Sequence, residues 1–118
     1  MPYIDGFVIP VPTARRDAYR AHEATWWPTF RDMGAVSLVV GWGDDVPRGK
    51  QTDFLRAVDA RPDETVVFCW MTWPDKATRD AAYKKMMETA PDMTDMPFDG
   101  KRMIYGGFEP ILMEGAAG

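Results

Sequence analysis

Apolar and polar residues follow two different periods along this chain, and these periods separate candidate strands from candidate helices. Residues 3–11 are rich in β-branched and aromatic side chains and end among prolines, which predicts a strand followed by a break. Residues 35–42 predict a second strand. The nearly continuous apolar run at 65–73 predicts a third strand that is buried on both faces. Residues 102–113 predict the last strand, which the Asp99-Gly100 turn precedes.

The segment 14–33 has the 3.6-residue period of a helix with one buried stripe. We expect Thr13 to cap the N-terminus of this helix and Gly34 to end it. Pro28 lies inside the segment and is expected to kink or weaken it near residues 26–27. The positions assigned to the buried stripe are Ala18, Ala21, His22, Thr25, Trp26, Phe30 and Met33.

A second helix is predicted for residues 75–90, and Pro91 should end it. Its apolar stripe contains Ala82, Tyr83, Met86, Met87 and Ala90. The remaining residues predict a polar loop at 43–50, a short strand extension at 53–60, a turn at 61–64, a Met- and Pro-rich loop at 92–98 and a frayed tail at 114–118.

The element order β-α-β-β-α-β predicts an α+β fold. We expect one domain, residues 1–118, with a ferredoxin-like sandwich of an antiparallel sheet and two helices on one face. Neither face of the sheet is polar in the first strand, where Tyr3, Phe7 and Ile9 alternate with Ile4, Gly6 and Val8. Because a monomer would expose one apolar face, we expect a homodimer in which two sheets face each other and close into a dimeric α+β barrel.

The net charge and the hydropathy of the chain bear on which classes of macromolecule it could bind. The net charge is −4 and the sequence contains no basic stripe, so we expect no nucleic-acid partner. The sequence shows no basic-plus-apolar signal region and no apolar run approaching ~18 residues, so we expect a cytoplasmic protein without a membrane partner.

Sulfur and indole side chains are unusually frequent. Nine Met and five Trp in 118 residues fill either an irregular core or an interface and ligand pocket, and the sequence leaves both open. The single cysteine, Cys69, excludes an intrachain disulfide and lies in an apolar run, which predicts a buried, inert thiol.

His22 is the single histidine and lies on the predicted stripe between Ala18 and Trp26. In an aromatic pocket its imidazole would be a candidate general base near neutral pH. The alternative is a core histidine bonded to a backbone carbonyl, or one at the rim of the helix face. A metal site would need further His or Cys ligands, so we expect neither a metal nor a cofactor.

Asp5 interrupts an apolar strand, where a carboxylate is costly unless it has a partner. Arg56 and Arg102 also interrupt strand-like runs and are the candidate partners. An ion pair within the sheet or between subunits is the favoured interpretation, and an acid–base role is the alternative. The Asp99–Arg102 turn either binds an anion or is solvated.

The two glycines that follow Tyr105, Gly106 and Gly107, leave the last strand without side chains on both faces at these positions. The gap either admits a flat ligand or marks a bulge or a close backbone approach.

Three functions remain open on these residues. The first is a cofactor-independent enzyme for a small apolar or aromatic metabolite, with His22 as base, Arg102 polarising an oxyanion, and Trp26 and Tyr105 as ligand contacts. The second is a binding or sensing module in which the same pocket captures a metabolite without catalysis. Asp5 and Arg56 are further candidate ligand contacts. The third is a structural dimer without a pocket. A cavity of ~300 Å³ or more would favour the first two, and a filled interior the third.

Four stretches resemble the uncharacterised YbaA-like family of the dimeric α+β-barrel superfamily. They are YIDGFVIPVP at 3–12, DVPRGKQTDF at 45–54, DETVVF at 63–68 and MPFDGKRMIYGGF at 96–108. The resemblance implies a ferredoxin-like protomer and a dimeric barrel. The superfamily includes monooxygenases, haem enzymes, isomerases and dehydratases, but no catalytic residue carries over to this branch. The Trp26-Trp27 pair and residues 90–95 depart from the family pattern.

Overall fold

The computed structural model describes residues 1–89 and 96–115. The strands are β1 (Tyr3–Pro12), β2 (Ser37–Trp42), β3 (Glu64–Trp73) and β4 (Ile104–Phe108). The helices are α1 (Arg16–Asp32), α2 (Phe54–Ala57) and α3 (Lys76–Thr89), and a 3-10 turn over Thr13–Arg15 leads into α1. The predicted helix end at Ala90 and Pro91, the loop residues 92–95 and the last tail residues lie outside the described residues.

The strands form one antiparallel sheet in the spatial order β2-β3-β1-β4. Each of the two long helices connects strands that are separated by a third strand, so the chain contains two split βαβ units. This arrangement confirms the predicted α+β fold with an antiparallel sheet and is consistent with a ferredoxin-like sandwich.

The core lies between one face of the sheet and helices α1 and α3. One cluster joins Tyr19 of α1 to Ile9, Val11, Val67 and Cys69 of the sheet. A second cluster contains Ala82 of α3 with Ala35, Met71 and Trp73. Alternate residues of β1 and β3 therefore supply the buried face, as the two-residue period of a strand requires.

The predicted stripe of α1 is right at its large residues, since His22, Trp26, Phe30 and Met33 are half-buried, and wrong at its small ones. Ala18, Ala21 and Thr25 are exposed, while Tyr19 is buried and Trp27 is half-buried. The prediction failed at the small residues because it gave them the same weight as large ones. Large side chains gain more from burial and therefore decide which face turns inward.

Of the two predicted ends of α1, the N-terminal cap is wrong and the C-terminal stop is right. Thr13 does not cap the helix, because its hydroxyl bonds the Thr65 hydroxyl at 2.7 Å and a 3-10 turn precedes α1. Gly34 follows the helix with φ of 112° and donates its N–H to the Arg31 carbonyl, which confirms the predicted stop. The helix continues through Pro28 to Asp32.

Two strand predictions are wrong. The predicted strand extension at 53–60 contains helix α2 instead, because the Asp53 carboxylate accepts the Arg56 N–H at 2.7 Å and caps a helical turn. The predicted last strand at 102–113 shortens to β4. Arg102 is held in the preceding turn, and Pro110, just beyond the strand, lacks the N–H that a ladder needs.

The second sheet face carries neither α1 nor α3, and we call it the outer face. Its residues are Ile4, Gly6, Val8, Val39, Phe68, Trp70, Ile104 and Phe108. Phe54 of the short helix α2 meets Phe68 on this face, with ring centroids 6.0 Å apart. Phe68 is 45% exposed and Phe108 is 61% exposed. The prediction that β3 is buried on both faces is therefore wrong at Phe68 in the single chain, although Val66 on the same side is buried and Trp70 is half-buried.

Asp5 is buried at 1% exposure and forms the ion pair that its position predicts, but with a different arginine. Arg79 of α3 donates to Asp5 Oδ1 from Nη2 at 3.0 Å, and Trp73 Nε1 donates to Oδ2 at 2.9 Å. The candidate partners Arg56 and Arg102 were wrong. Arg79 lies three and four residues before Ala82 and Tyr83, so the helical period of α3 carries it to the side that faces the sheet. The Arg79 guanidinium also lies 4.2 Å from the centroid of the Tyr83 ring.

We predict that Asp5→Asn lowers the free energy of unfolding by about 3 kcal/mol, because it removes the one buried carboxylate that the enclosed Arg79 binds and leaves this arginine only the exposed Asp80. Asp80→Asn is the matched control, since Asp80 binds the same guanidinium at 2.9 Å but is exposed. Its loss should cost less than about 1 kcal/mol. Urea unfolding at one fixed protein concentration compares the two. Equal losses in both variants would contradict a structural role for the buried pair.

Candidate functional site

A cavity of about 160 Å³ lies between α1, α3, the segment before β4 and the sheet. We call it the helix–sheet cavity. Its wall is formed almost entirely by aromatic, aliphatic and sulfur-containing side chains. These are Phe7, Ile9, Trp26, Phe30, Leu38, Cys69, Met71, Met86, Met96, Phe98 and Met103. His22 and Glu23 complete the lining and are its acid–base side chains.

Helical spacing on α1 brings His22, Trp26 and Phe30 to the cavity, one turn apart. Phe98 comes from the segment before β4 and meets the imidazole of His22 edge to face, with ring centroids 5.9 Å apart. The same phenyl ring meets Tyr19 at 5.7 Å. The predicted neighbourhood of His22 and Trp26 is thus an aromatic pocket, as the first two functional readings require.

His22 is half-buried, and burial lowers the pKa of its imidazole below the ordinary value of 6.5. The ring is therefore neutral at neutral pH and has a nitrogen available to accept a proton. This is the protonation state that a general base needs.

Glu23 is a candidate that the sequence reasoning missed. It follows Tyr19 by four residues on α1, so the two side chains share one face. Burial raises the pKa of the Glu23 carboxyl, while the nearby Tyr19 hydroxyl lowers it to a lesser extent. The sequence does contain a sign of its position. Tyr19, Glu23 and Trp27 recur every four residues, and each lies next to the row that contains His22 and Trp26 on the helix surface.

The side chain of Tyr19 buries a hydroxyl between α1 and the sheet. The residue is 1% exposed, and the hydroxyl has no hydrogen-bond partner among residues 1–89 and 96–115. Burial, then the nearby Glu23 carboxyl and Cys69 thiol, raise the pKa of the Tyr19 phenol. Burial and Glu23 likewise raise the pKa of Cys69 to about 12, so its thiol stays protonated and is a poor nucleophile.

Arg102 does not belong to this cavity. Its guanidinium donates to both carboxylate oxygens of Glu64, at 2.7 and 2.6 Å, and to Asp99 at 2.8 Å. These bonds raise the pKa of Arg102 and lower that of Glu64. The arginine therefore ties the turn before β4 to the start of β3, and the structure does not bring it to His22.

The other predicted ligand contacts also lie apart from His22. Arg56 binds the carbonyl of Gly49 at 3.0 Å and organises the loop before α2. Tyr105 stacks on Phe7 with centroids 6.5 Å apart and stays exposed. A side chain at Gly107 would collide with the phenol of Tyr3, so close packing accounts for that glycine. Asp5 is occupied by Arg79.

Within residues 1–89 and 96–115, no group of three or more His, Cys, Asp and Glu side chains is arranged to hold a metal ion. None of the described helices is both long enough and apolar enough to cross a membrane.

Comparison with known proteins gives consistent matches. A family model described as "Protein of unknown function (DUF1428)" matches residues 2–100. The chain is 52% identical over 118 residues to the uncharacterized protein YbaA of Escherichia coli K12, covering 97% of this chain and 100% of that protein. YbaA of Escherichia coli O157:H7 and YbaA of Shigella flexneri match with the same identity and coverage. These matches confirm the resemblance seen in the sequence.

We predict that Glu23→Gln becomes relatively more stabilising as the pH rises. With a raised folded pKa, the stability that Glu23 contributes is present below its unfolded value of 4.5 and is lost as the pH rises through the folded value. Glutamine does not ionise. The difference in unfolding free energy, variant minus wild type, should therefore increase between about pH 4 and about pH 7.

Urea unfolding across this pH range measures the difference. Glu88→Gln is the control, because Glu88 is exposed on α3. A difference that stays constant, or one that Glu88→Gln reproduces, would contradict a desolvated Glu23.

Proposed function

The chain belongs to the YbaA-like family of proteins of unknown function, DUF1428, and from that premise we propose that it binds a compact apolar or aromatic metabolite in the helix–sheet cavity. One observation carries the proposal: the cavity wall is apolar except for one imidazole and one carboxyl. Ligand sites in proteins commonly combine such an apolar wall with a small number of placed polar groups.

The size of the cavity limits the ligand. Its volume of about 160 Å³ is smaller than the ~300 Å³ expected from the sequence for a metabolite pocket. An engineered cavity of about 150 Å³ in another protein nevertheless takes up benzene. A single ring therefore fits without rearrangement. The methionines in the wall are unbranched and adaptable, so a somewhat larger ligand is accommodated by changes of rotamer. A purely structural dimer would gain stability by filling this space.

We further propose that two copies pair through their outer faces into a dimeric barrel. The support is an apolar groove of about 600 Å³ on that face, where Gly6 lies opposite Gly106 and Phe68 and Phe108 stand beside them. Aromatic contacts continue the apolar surface from Phe68 to Trp70. Water contact with so many large apolar side chains is unfavourable, and a second identical sheet would remove it.

We also propose that the protein is cytoplasmic and has neither nucleic-acid nor membrane partners, as the sequence predicts. The support for this proposal is chemical. The net charge of −4 disfavours binding to polyanions, and the one thiol, Cys69, cannot form an intrachain disulfide.

Catalysis without a cofactor is the second candidate function. The observation that favours it is the presence of two acid–base groups on one apolar wall, with the pKa of His22 lowered and that of Glu23 raised. A lowered pKa keeps the imidazole neutral and able to accept a proton, and a raised pKa lets the carboxyl hold and donate a proton at higher pH than an ordinary glutamate does, which suits proton transfer on a neutral substrate. The oxyanion role predicted for Arg102 has no support in this arrangement, because both Glu64 and Asp99 engage its guanidinium.

We predict that toluene binds saturably to the wild type and that Met86→Trp weakens this binding at least about 10-fold, because the indole occupies volume that the ligand needs. Met86 lines the cavity from α3. Ligand-detected NMR gives the dissociation constant, and the rise in Tm with toluene concentration gives an independent value.

Met87→Trp is the matched control, since Met87 is the next residue and is 81% exposed. It should bind toluene as the wild type does. His22→Ala should also retain binding, whereas turnover of any substrate found later should be lost. Circular dichroism establishes that Met86→Trp is folded, and Met86→Phe provides a milder filling if it is not. Equal binding by folded Met86 and Met87 variants would overturn the proposal.

A further inference from the structure

A second concavity lies on the other side of Glu23 and Leu38 from the helix–sheet cavity. It is an open groove of about 700 Å³ between α1 and the edge strand β2, and we call it the α1–β2 groove. Glu23 and Leu38 line both spaces. The residues that give the groove its chemistry are Arg16, Arg20, Trp27, Trp42, Ser37 and Tyr19. The volume lies within the range of small-molecule sites.

Two arginines of this groove form no salt bridge with any described residue. Arg16 and Arg20 lie one helical turn apart on α1, and both are exposed. Arg79 and Arg102, in contrast, each bind two carboxylates. Two adjacent guanidinium groups in a chain of net charge −4 repel each other and are stabilised by an external anion.

One of these arginines is held in place by an aromatic ring. The Arg16 guanidinium carbon lies 5.6 Å from the centroid of the Trp42 ring. This cation–π contact restricts the side chain while leaving its N–H donors available, so less conformational entropy is lost when an anion binds.

The rest of the wall suits a flat apolar body with polar edges. Trp27 and Trp42 contribute indole rings to the same groove, and Leu38 and Val40 add aliphatic surface. Tyr19 and Ser37 also belong to the wall, and their buried hydroxyls lack hydrogen-bond partners within the part of the chain that the structure describes. Glu23 is the acidic group of this wall. Glu23 follows Arg20 by three residues on α1, and burial raises the pKa of its carboxyl, which reduces the negative charge that it presents to the two arginines.

We propose that the α1–β2 groove binds an aromatic monocarboxylate, with its ring against Trp27 and Trp42 and its carboxylate on Arg16 and Arg20. Guanidinium groups match the geometry of a carboxylate, and indole surfaces match a flat ring. This site differs from the helix–sheet cavity in location and in the charge of its ligand, so it does not depend on the function proposed above.

Isothermal titration with benzoate at low ionic strength tests this site. Benzyl alcohol carries the ring without the charge, and acetate carries the charge without the ring. Benzoate should bind saturably and more tightly than either. Arg16→Gln and Arg20→Gln should each weaken benzoate about 10-fold, the effect of losing one charge-assisted hydrogen bond. Arg31→Gln is the matched control, because Arg31 lies on the same helix, is exposed and pairs with Asp32.

The control and the cavity variant decide between the possible results. Arg31→Gln and Met86→Trp should bind benzoate as the wild type does. The groove proposal is overturned if benzoate does not saturate, if benzyl alcohol binds equally well, or if Arg31→Gln weakens binding as much as the groove variants. Loss of benzoate binding in Met86→Trp with retention in both groove variants would also overturn it. That last result would place benzoate in the helix–sheet cavity and leave the first proposal standing.

Discussion

The sheet is apolar on both faces while the long helices α1 and α3 cover one of them, and this imbalance governs the rest of the structure. Side chains alternate between faces along a strand, so an apolar outer face cannot be turned inward without exposing the residues that pack under α1 and α3. The register of β1 with β3 and β4 fixes which residues remain outside. Phe68 and Phe108 are large, and their exposure marks a surface that needs a cover.

On the covered face, the large side chains of α1 determine both packing and chemistry. Tyr19, Trp26 and Phe30 turn inward, and the helical period then carries His22 and Glu23 to the same side. Burying a carboxyl and a phenol without full hydrogen bonding costs free energy. The buried Asp5 shows the usual solution, since Arg79 and Trp73 satisfy it. The Tyr19 hydroxyl has no such partner within the described residues, and a buried hydroxyl of this kind is expected where a ligand or a water molecule supplies the missing hydrogen bond.

Sequence reasoning recovered what depends on periodicity and missed what depends on contacts between distant segments. The apolar run of β3, the glycine stop after α1 and the position of His22 follow from local patterns, and the structure contains all three. The partner of Asp5 lies 74 residues away on α3, and no local pattern identifies it. The helical turn at α2 depends on one capping carboxylate, Asp53, in a segment whose apolar residues also fit a strand. Glu23 was missed because a charged residue on a helix is usually assigned to its solvated face.

The pairing of two sheets through their outer faces is tested most directly by the molar mass in solution. Sedimentation equilibrium at micromolar concentration should give twice the 13.4 kDa of one chain. Phe68→Asp, which places a charge in the middle of the outer face, should shift the mass toward one chain. A wild-type protein that remains a stable, non-aggregating 13.4 kDa monomer under these conditions would contradict the pairing.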